Sequence, residues 1–243
     1  MSIGRAAALV ALMSLTLGVG CAAGPRADRP QPRSEDGAYR PVPTTSGAKL
    51  LAPREGQRRF QVETDGRRTT WTETWTRLPA QEGDDGERWA QVIEGVRRVE
   101  FLVGEDGSVK VTREVEVSED SDVSYEPALL VLPAEVKQDT PAQGEARMTV
   151  KNLKGTNTKA SGPVTVTVTP VGRTAVTTDD GATDAVAVRA QRKMDLDLAK
   201  VRVNIETVYV PGRGTWRETV ERVTQALGVF EDRKRQTVQR IGE

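Results

Sequence analysis

The sequence contains no histidine and a single cysteine, Cys21. The first absence removes every mechanism that needs an imidazole: Ser-His and Cys-His nucleophile pairs, and metal sites built on His nitrogens. The second removes intrachain disulfides and leaves thiol chemistry to one position near the start of the chain. Neither charge is in excess, since 35 Lys and Arg stand against 35 Asp and Glu. No basic surplus therefore points to nucleic acid, and no acidic tail to a cationic partner. No Gly-rich phosphate loop, nucleophile elbow or dinucleotide fingerprint occurs, and Gly212-Arg213-Gly214 is too short to cradle a phosphate. These absences predict a protein that is not an enzyme, uses no cofactor or metal, and is held together by packing and hydrogen bonds.

What is present begins with a segment of three parts. Arg5 is the only charged residue from Met1 to Gly20, and AAALVALMSLTL (Ala6 to Leu17) is an apolar run. That run is too short to cross roughly 30 Å of hydrocarbon, which takes about 20 helical residues. Small residues lead through Gly18-Val19-Gly20 to Cys21. A basic start, a short apolar core and a small-residue exit predict an export signal over residues 1–20, removed in the mature chain.

The stretch Leu17-Gly18-Val19-Gly20-Cys21 resembles the lipobox of bacterial lipoproteins, with Gly18 where that family usually carries Leu. The resemblance implies cleavage before Cys21, a thioether-linked diacylglycerol on its sulfur, and acylation of the new amine. Each buried CH₂ contributes about 0.8 kcal/mol, so two or three chains anchor stably where one is marginal. A membrane, reached through lipid on Cys21, is then the first partner. Ala22 follows the cysteine; in Gram-negative sorting this pattern goes with the outer membrane, the rest of the chain facing the periplasm.

Residues 21–48 are rich in proline and poor in large apolar side chains (AAGPRADRPQPRSEDGAYRPVPTTSGA after the cysteine). This composition predicts a tether spanning roughly 30 Å as a coil. From residue 49 to 243 the pattern changes to period two. Val164, Val166 and Val168 alternate with Thr165, Thr167 and Thr169, and Val201, Val203 and Ile205 alternate with Arg202, Asn204 and Glu206. Half-buried antiparallel strands read this way. Turn dipeptides fall between the runs: Asp65-Gly66, Asp106-Gly107, Asp180-Gly181 and Pro211-Gly212. The predicted fold is all-β, a curved antiparallel sheet or half-barrel with at most one or two short helices. Residues 217–228 fit two readings, a helix with Val220, Val223 and Leu227 on one face, or a strand that turns and returns through Phe230 to Ile241; the hairpin is preferred.

The run Glu206-Thr207-Val208-Tyr209-Val210-Pro211-Gly212-Arg213-Gly214-Thr215-Trp216 resembles a strand–turn–strand motif of bacterial envelope proteins, and Leu129 to Pro133 resembles their mid-chain apolar-then-proline step. Arg213 stands where an aliphatic residue is usual. The resemblance implies a broad curved sheet of LolA/LolB half-barrel shape, and it brings no catalytic residue.

Two acidic clusters, Glu82/Asp84/Asp85/Glu87 and Glu119/Asp120/Asp122, lack the Asp-x-Asp-x-Asp-Gly order of a calcium loop and read as solvated turns. Trp71, Glu73 and Trp75 share one strand face. They read either as core cover or as an aromatic ligand face with a carboxylate between two indoles. The expected function is a membrane-anchored envelope lipoprotein, a non-catalytic binding or structural module for an envelope protein. The alternative is a periplasmic carrier of an apolar ligand such as a lipid. A continuous apolar concave face would distinguish the carrier.

Overall fold

The computed structural model describes residues 39–197, 199–226 and 230–241. The predicted signal, Cys21 and the tether up to residue 38 lie outside the described residues. Among those described, one short helix, α1 (Gly47–Leu51), precedes twelve strands. They are β1 (Gly56–Thr64), β2 (Arg67–Arg77), β3 (Gly86–Ile93), β4 (Arg97–Gly104), β5 (Val109–Glu116) and β6 (Ser121–Leu132), followed by β7 (Ala142–Lys151), β8 (Thr158–Thr178), β9 (Gly181–Leu196), β10 (Ala199–Val210), β11 (Gly214–Ala226) and β12 (Phe230–Arg240).

Each strand pairs antiparallel with its sequence neighbour, and β1 pairs with β12, so the sheet closes on itself. The seam register is Phe60↔Arg240, Val62↔Val238 and Thr64↔Gln236. The all-β expectation is met, and the curvature continues to full closure. Residues 214–226 are strand, and Ala226 pairs with Phe230 in the hairpin preferred above.

The predicted turns sit where the dipeptides stand. Thr64 pairs with Arg67, so Asp65 (φ 49) and Gly66 (φ 80) form a two-residue loop. Two successive positive φ values match the twist of the flanking strands, which is why Asp-Gly serves there. The Pro211-Gly212 turn returns the chain through Val210↔Gly214. Arg213, out of place in the resemblance, pairs with Asp180 at 2.6 Å.

Alternation decides which way the barrel faces. Val164, Val166 and Val168 are at most 1% exposed, while between them Thr165 is exposed and Thr167 half-buried. Arg189, Gln191, Lys193 and Asp195 of β9 likewise point out to solvent. A barrel that spans a bilayer has the opposite polarity, with its outer band apolar. An Arg or Lys at the bilayer midplane would cost about 2–4 kcal/mol. The outer face is therefore built for water, and most apolar side chains meet inside in the main core cluster.

The chain before β1 completes the core. Arg40 bridges to Arg173 and Thr45 to Val136, so residues 39–46, at the end of the Pro-rich stretch, lie along the barrel. Tyr39 packs on a small outer cluster of Ala185, Ala187, Val208 and Val210. It passes so close to Gly172 that a Cβ there would lie 2.2 Å from Tyr39 Cβ. Ser46 then caps α1, its hydroxyl accepting from Lys49 N at 3.2 Å. Leu50 and Leu51 drop into the core, and the helix docks beside the β10–β11 turn, where Gly212 N donates to Lys49 O at 2.9 Å. The helix thus covers one mouth of the barrel.

Candidate functional site

Closure leaves an internal cavity of about 200 Å³, lined by side chains from α1 and from inward positions of β1–β6 and β9–β12. Its walls are mostly apolar: Leu51, Phe60, Phe101, Val131, Ile205 and Val238 are among them. Charged side chains share the same lumen, and their placement follows from register.

Cross-strand partners run in one row from strand to strand: Arg58↔Glu73, Glu73↔Ile93, Ile93↔Arg97, Arg97↔Glu116 and Glu116↔Ser121. Directly opposed residues share a face, so one inward position on each of six neighbouring strands forms a belt that is polar except at Ile93. At one end Glu73 is buried and fully engaged. Trp75 Nε1 and Gln91 Nε2 donate to its two oxygens, and Arg58 Nη1 lies 3.9 Å away. Burial pushes the Glu73 carboxyl above its ordinary range, and the hydrogen bonds from Trp75 and Gln91 and the charges of Arg58 and Arg97 hold it back only in part. Arg58 also donates to Ala52 O at 2.7 Å and lies 5.0 Å over the Trp75 ring.

At the other end Glu116 is less well served. Burial raises its carboxyl to about 8; Arg97 opposes that rise, and Glu114 and Glu119 add to it. Its Oε2 has no hydrogen-bond partner, and neither has Ser121 Oγ beside it. Buried polar atoms are normally partnered, so such a pair marks a place suited to a polar group.

A second polar set crosses the lumen. Arg192 of β9 pairs with Glu114 of β5 at 3.1 Å, although three strands separate them around the sheet. Tyr125 also donates to Glu114. Burial works against the Arg192 charge, but Glu114, Tyr125 and Glu218 together outweigh it, so the guanidinium is held above its usual value. This bridge is a strut: it joins opposite walls and commits Glu114 to Arg192 and Tyr125.

Of the residues singled out in the sequence, Cys21 lies outside the described residues. Trp71, Glu73 and Trp75 all point inward, but they are not equivalent. Trp75 is 1% exposed and stacks on Phe101 with centroids 5.5 Å apart. Trp71, half-buried beside Phe60, lines the cavity. The acidic clusters are tied into ion pairs: Glu87 with Arg77 (2.7 Å), Asp85 with Lys110 (3.6 Å), Asp122 with Arg113 (2.7 Å) and Asp120 with Lys159 (3.3 Å). Among the described residues no three potential ligands converge as a metal site would require. Arg97, Glu114, Glu116, Ser121 and Arg192 carry the lumen's polarity and were not singled out in the sequence. Phase was the signal for Arg97, Ser121 and Arg192, which stand two residues from the inward Val99, Val123 and Met194; Glu114 and Glu116 carry no such signal, because an irregularity between Val111 and Arg113 breaks the alternation of β5.

No protein-family model matches this chain, and no curated protein matches it. Three solved structures are similar to it. One is a candidate lipoprotein from Parabacteroides distasonis, 9% identical, covering 86% of this chain and 99% of that one at a TM-score of 0.41. Another is a candidate exported protein with a YmcC-like fold from Bacteroides fragilis, 14% identical, covering 79% and 96% at a TM-score of 0.41. The third is the hypothetical lipoprotein YmcC from Escherichia coli, 7% identical, covering 82% and 89% at a TM-score of 0.36.

Proposed function

We propose that this protein is a non-catalytic lipoprotein of the cell envelope whose barrel takes a small amphipathic ligand into its lumen. The cavity is the observation that carries the reading. A closed sheet with apolar walls and a built-in polar belt offers one environment for a tail and another for a head. At about 200 Å³ it falls below the roughly 300–1,000 Å³ of pockets that take drug-sized ligands. The occupant is therefore a short molecule or the end of a longer one.

The envelope location rests on the lipobox resemblance at Cys21. In this reading lipid holds the protein to a membrane, the outer one favoured, with the barrel in the periplasm. The water-facing outer surface supports that arrangement, because it leaves anchoring to the lipid. The carrier reading follows the likeness in shape to LolA/LolB half-barrels, with the difference that this sheet closes. The absence of His and the engagement of Glu73 and Glu114 in hydrogen bonds and ion pairs support a binding role over a catalytic one.

The test is purification of the lipidated protein from native membranes, followed by mass spectrometry of extracted small molecules and of co-purifying proteins. A stoichiometric amphiphile is expected. A protein partner with an empty barrel would instead favour the docking-module alternative.

A further inference from the structure

We propose that Arg97, Glu116 and Ser121 form the head-group end of the lumen site, and that it selects a small amphiphile carrying a carboxylate. This deepens the reading of the lumen as a binding cavity and rests on it.

The three residues are consecutive cross-strand partners on β4, β5 and β6, and all three line the cavity. Among the described residues, the other lumen cations are committed. Arg58 is held by Ala52 O and Glu73, Arg192 by Glu114, and Arg222 faces Asp232 and Glu119. Arg97 makes no ion pair or hydrogen bond among the described residues, although Glu73 and Glu116 are near enough to feel its charge. A guanidinium presents forked donors that match a carboxylate's two oxygens. Ser121 Oγ, 0% exposed and unpartnered, adds a hydroxyl donor beside it.

Glu116 fits the same occupant. With its carboxyl raised to about 8, it carries a proton at neutral pH, and its unpartnered end can donate to an anion. The groups facing it are Arg97, Ser121, Glu114 and Glu119. An amine in this position would sit against a guanidinium that makes no ion pair. An alcohol would leave that guanidinium without an ion-pair partner. From this end the apolar wall of Phe101, Ile205 and Val238 leads toward Leu51 at the helix-covered mouth, which gives the tail its direction.

Isothermal titration of the full chain carrying Cys21→Ser, which keeps lipid and detergent out of the assay, tests this with hexanoate, hexanol and hexylamine. Hexanoate is expected to bind at least about tenfold more tightly than the other two, the value of one charge-assisted hydrogen bond. Arg97→Gln should remove that advantage, with hexanol binding at least as tightly as it does with the natural residue, which also shows that the variant is folded; Ser121→Ala should weaken hexanoate in the same direction. Equal binding of all three probes, a preference for hexylamine, or hexanoate affinity untouched by Arg97→Gln would overturn the head-group assignment and leave the lumen reading standing. Binding of none of them would sink the lumen reading itself.

Discussion

Glu73 shows how a lumen carboxylate is stabilised one contact at a time. It accepts from Trp75 and Gln91 and faces Arg58 in a setting where none of the three has easy access to water. Removing it leaves a buried guanidinium and two donors unanswered, so Glu73→Ala should destabilise the fold by about 3 kcal/mol, seen as a lower urea midpoint. Replacing Arg58 and Glu73 together by leucine should cost less than the sum of the two single changes, because no charge is then stranded. Glu116 gives the matching pH prediction. Its folded carboxyl lies at about 8 against an ordinary 4.5, so the folded state keeps a proton that the unfolded chain releases. Its contribution to stability is fully present below about 4.5 and is lost as pH climbs toward 8. Urea midpoints measured across that window should fall for the natural chain and fall less for Glu116→Gln.

The short helix is the element with most depending on least. It has five residues, too few to be stable alone. It holds because Ser46 caps it, Gly47 allows close approach to the barrel rim, and Leu50 and Leu51 enter the core. A Cβ at Gly47 would come within 2.7 Å of Leu132 Cβ and Pro133 O. Leu50 is 0% exposed, so Leu50→Ala should cost about 2–5 kcal/mol and unseat the helix from the mouth. Faster amide exchange in residues 47–52 than in the strands would report it. The hairpins, by contrast, were legible from their turns. Asp65-Gly66 and Pro211-Gly212 announce reversals through backbone angles that few other residues adopt, and period-two runs on either side supply the strands. The helix was not placed in advance, because GAKLL has no length over which a helical period can be read.

For the whole molecule, the decisive contrast is between an outer face of Thr, Arg, Lys, Asp and Gln and an inner face of Val, Phe, Leu and Trp. Such a barrel has no reason to enter a bilayer. On the proposed lipidation of Cys21, Cys21→Ser should move the protein from the membrane fraction to the soluble one on fractionation of the envelope. Unchanged membrane retention would mean that something other than lipid holds it. All strands belong to one closed sheet, and its core is shared around the ring, so heat should unfold it in a single transition seen alike by circular dichroism and Trp fluorescence.

Local chemistry determined the all-β class, the turns and the facing of each strand, since each depends on residues two to four apart. The lipobox resemblance at Cys21 is of the same kind, readable from five adjacent residues. Only the tertiary structure decided that β1 meets β12, that Arg192 reaches Glu114 across the lumen, and that Arg97, Glu116 and Ser121 stand side by side. Those partners come from different strands, and nothing in a strand's own alternation names its neighbour. Closure settles the matter physically: once both sheet edges are hydrogen-bonded to each other, every inward side chain shares one enclosed space, and charges that look ordinary along the chain become the polar end of a cavity.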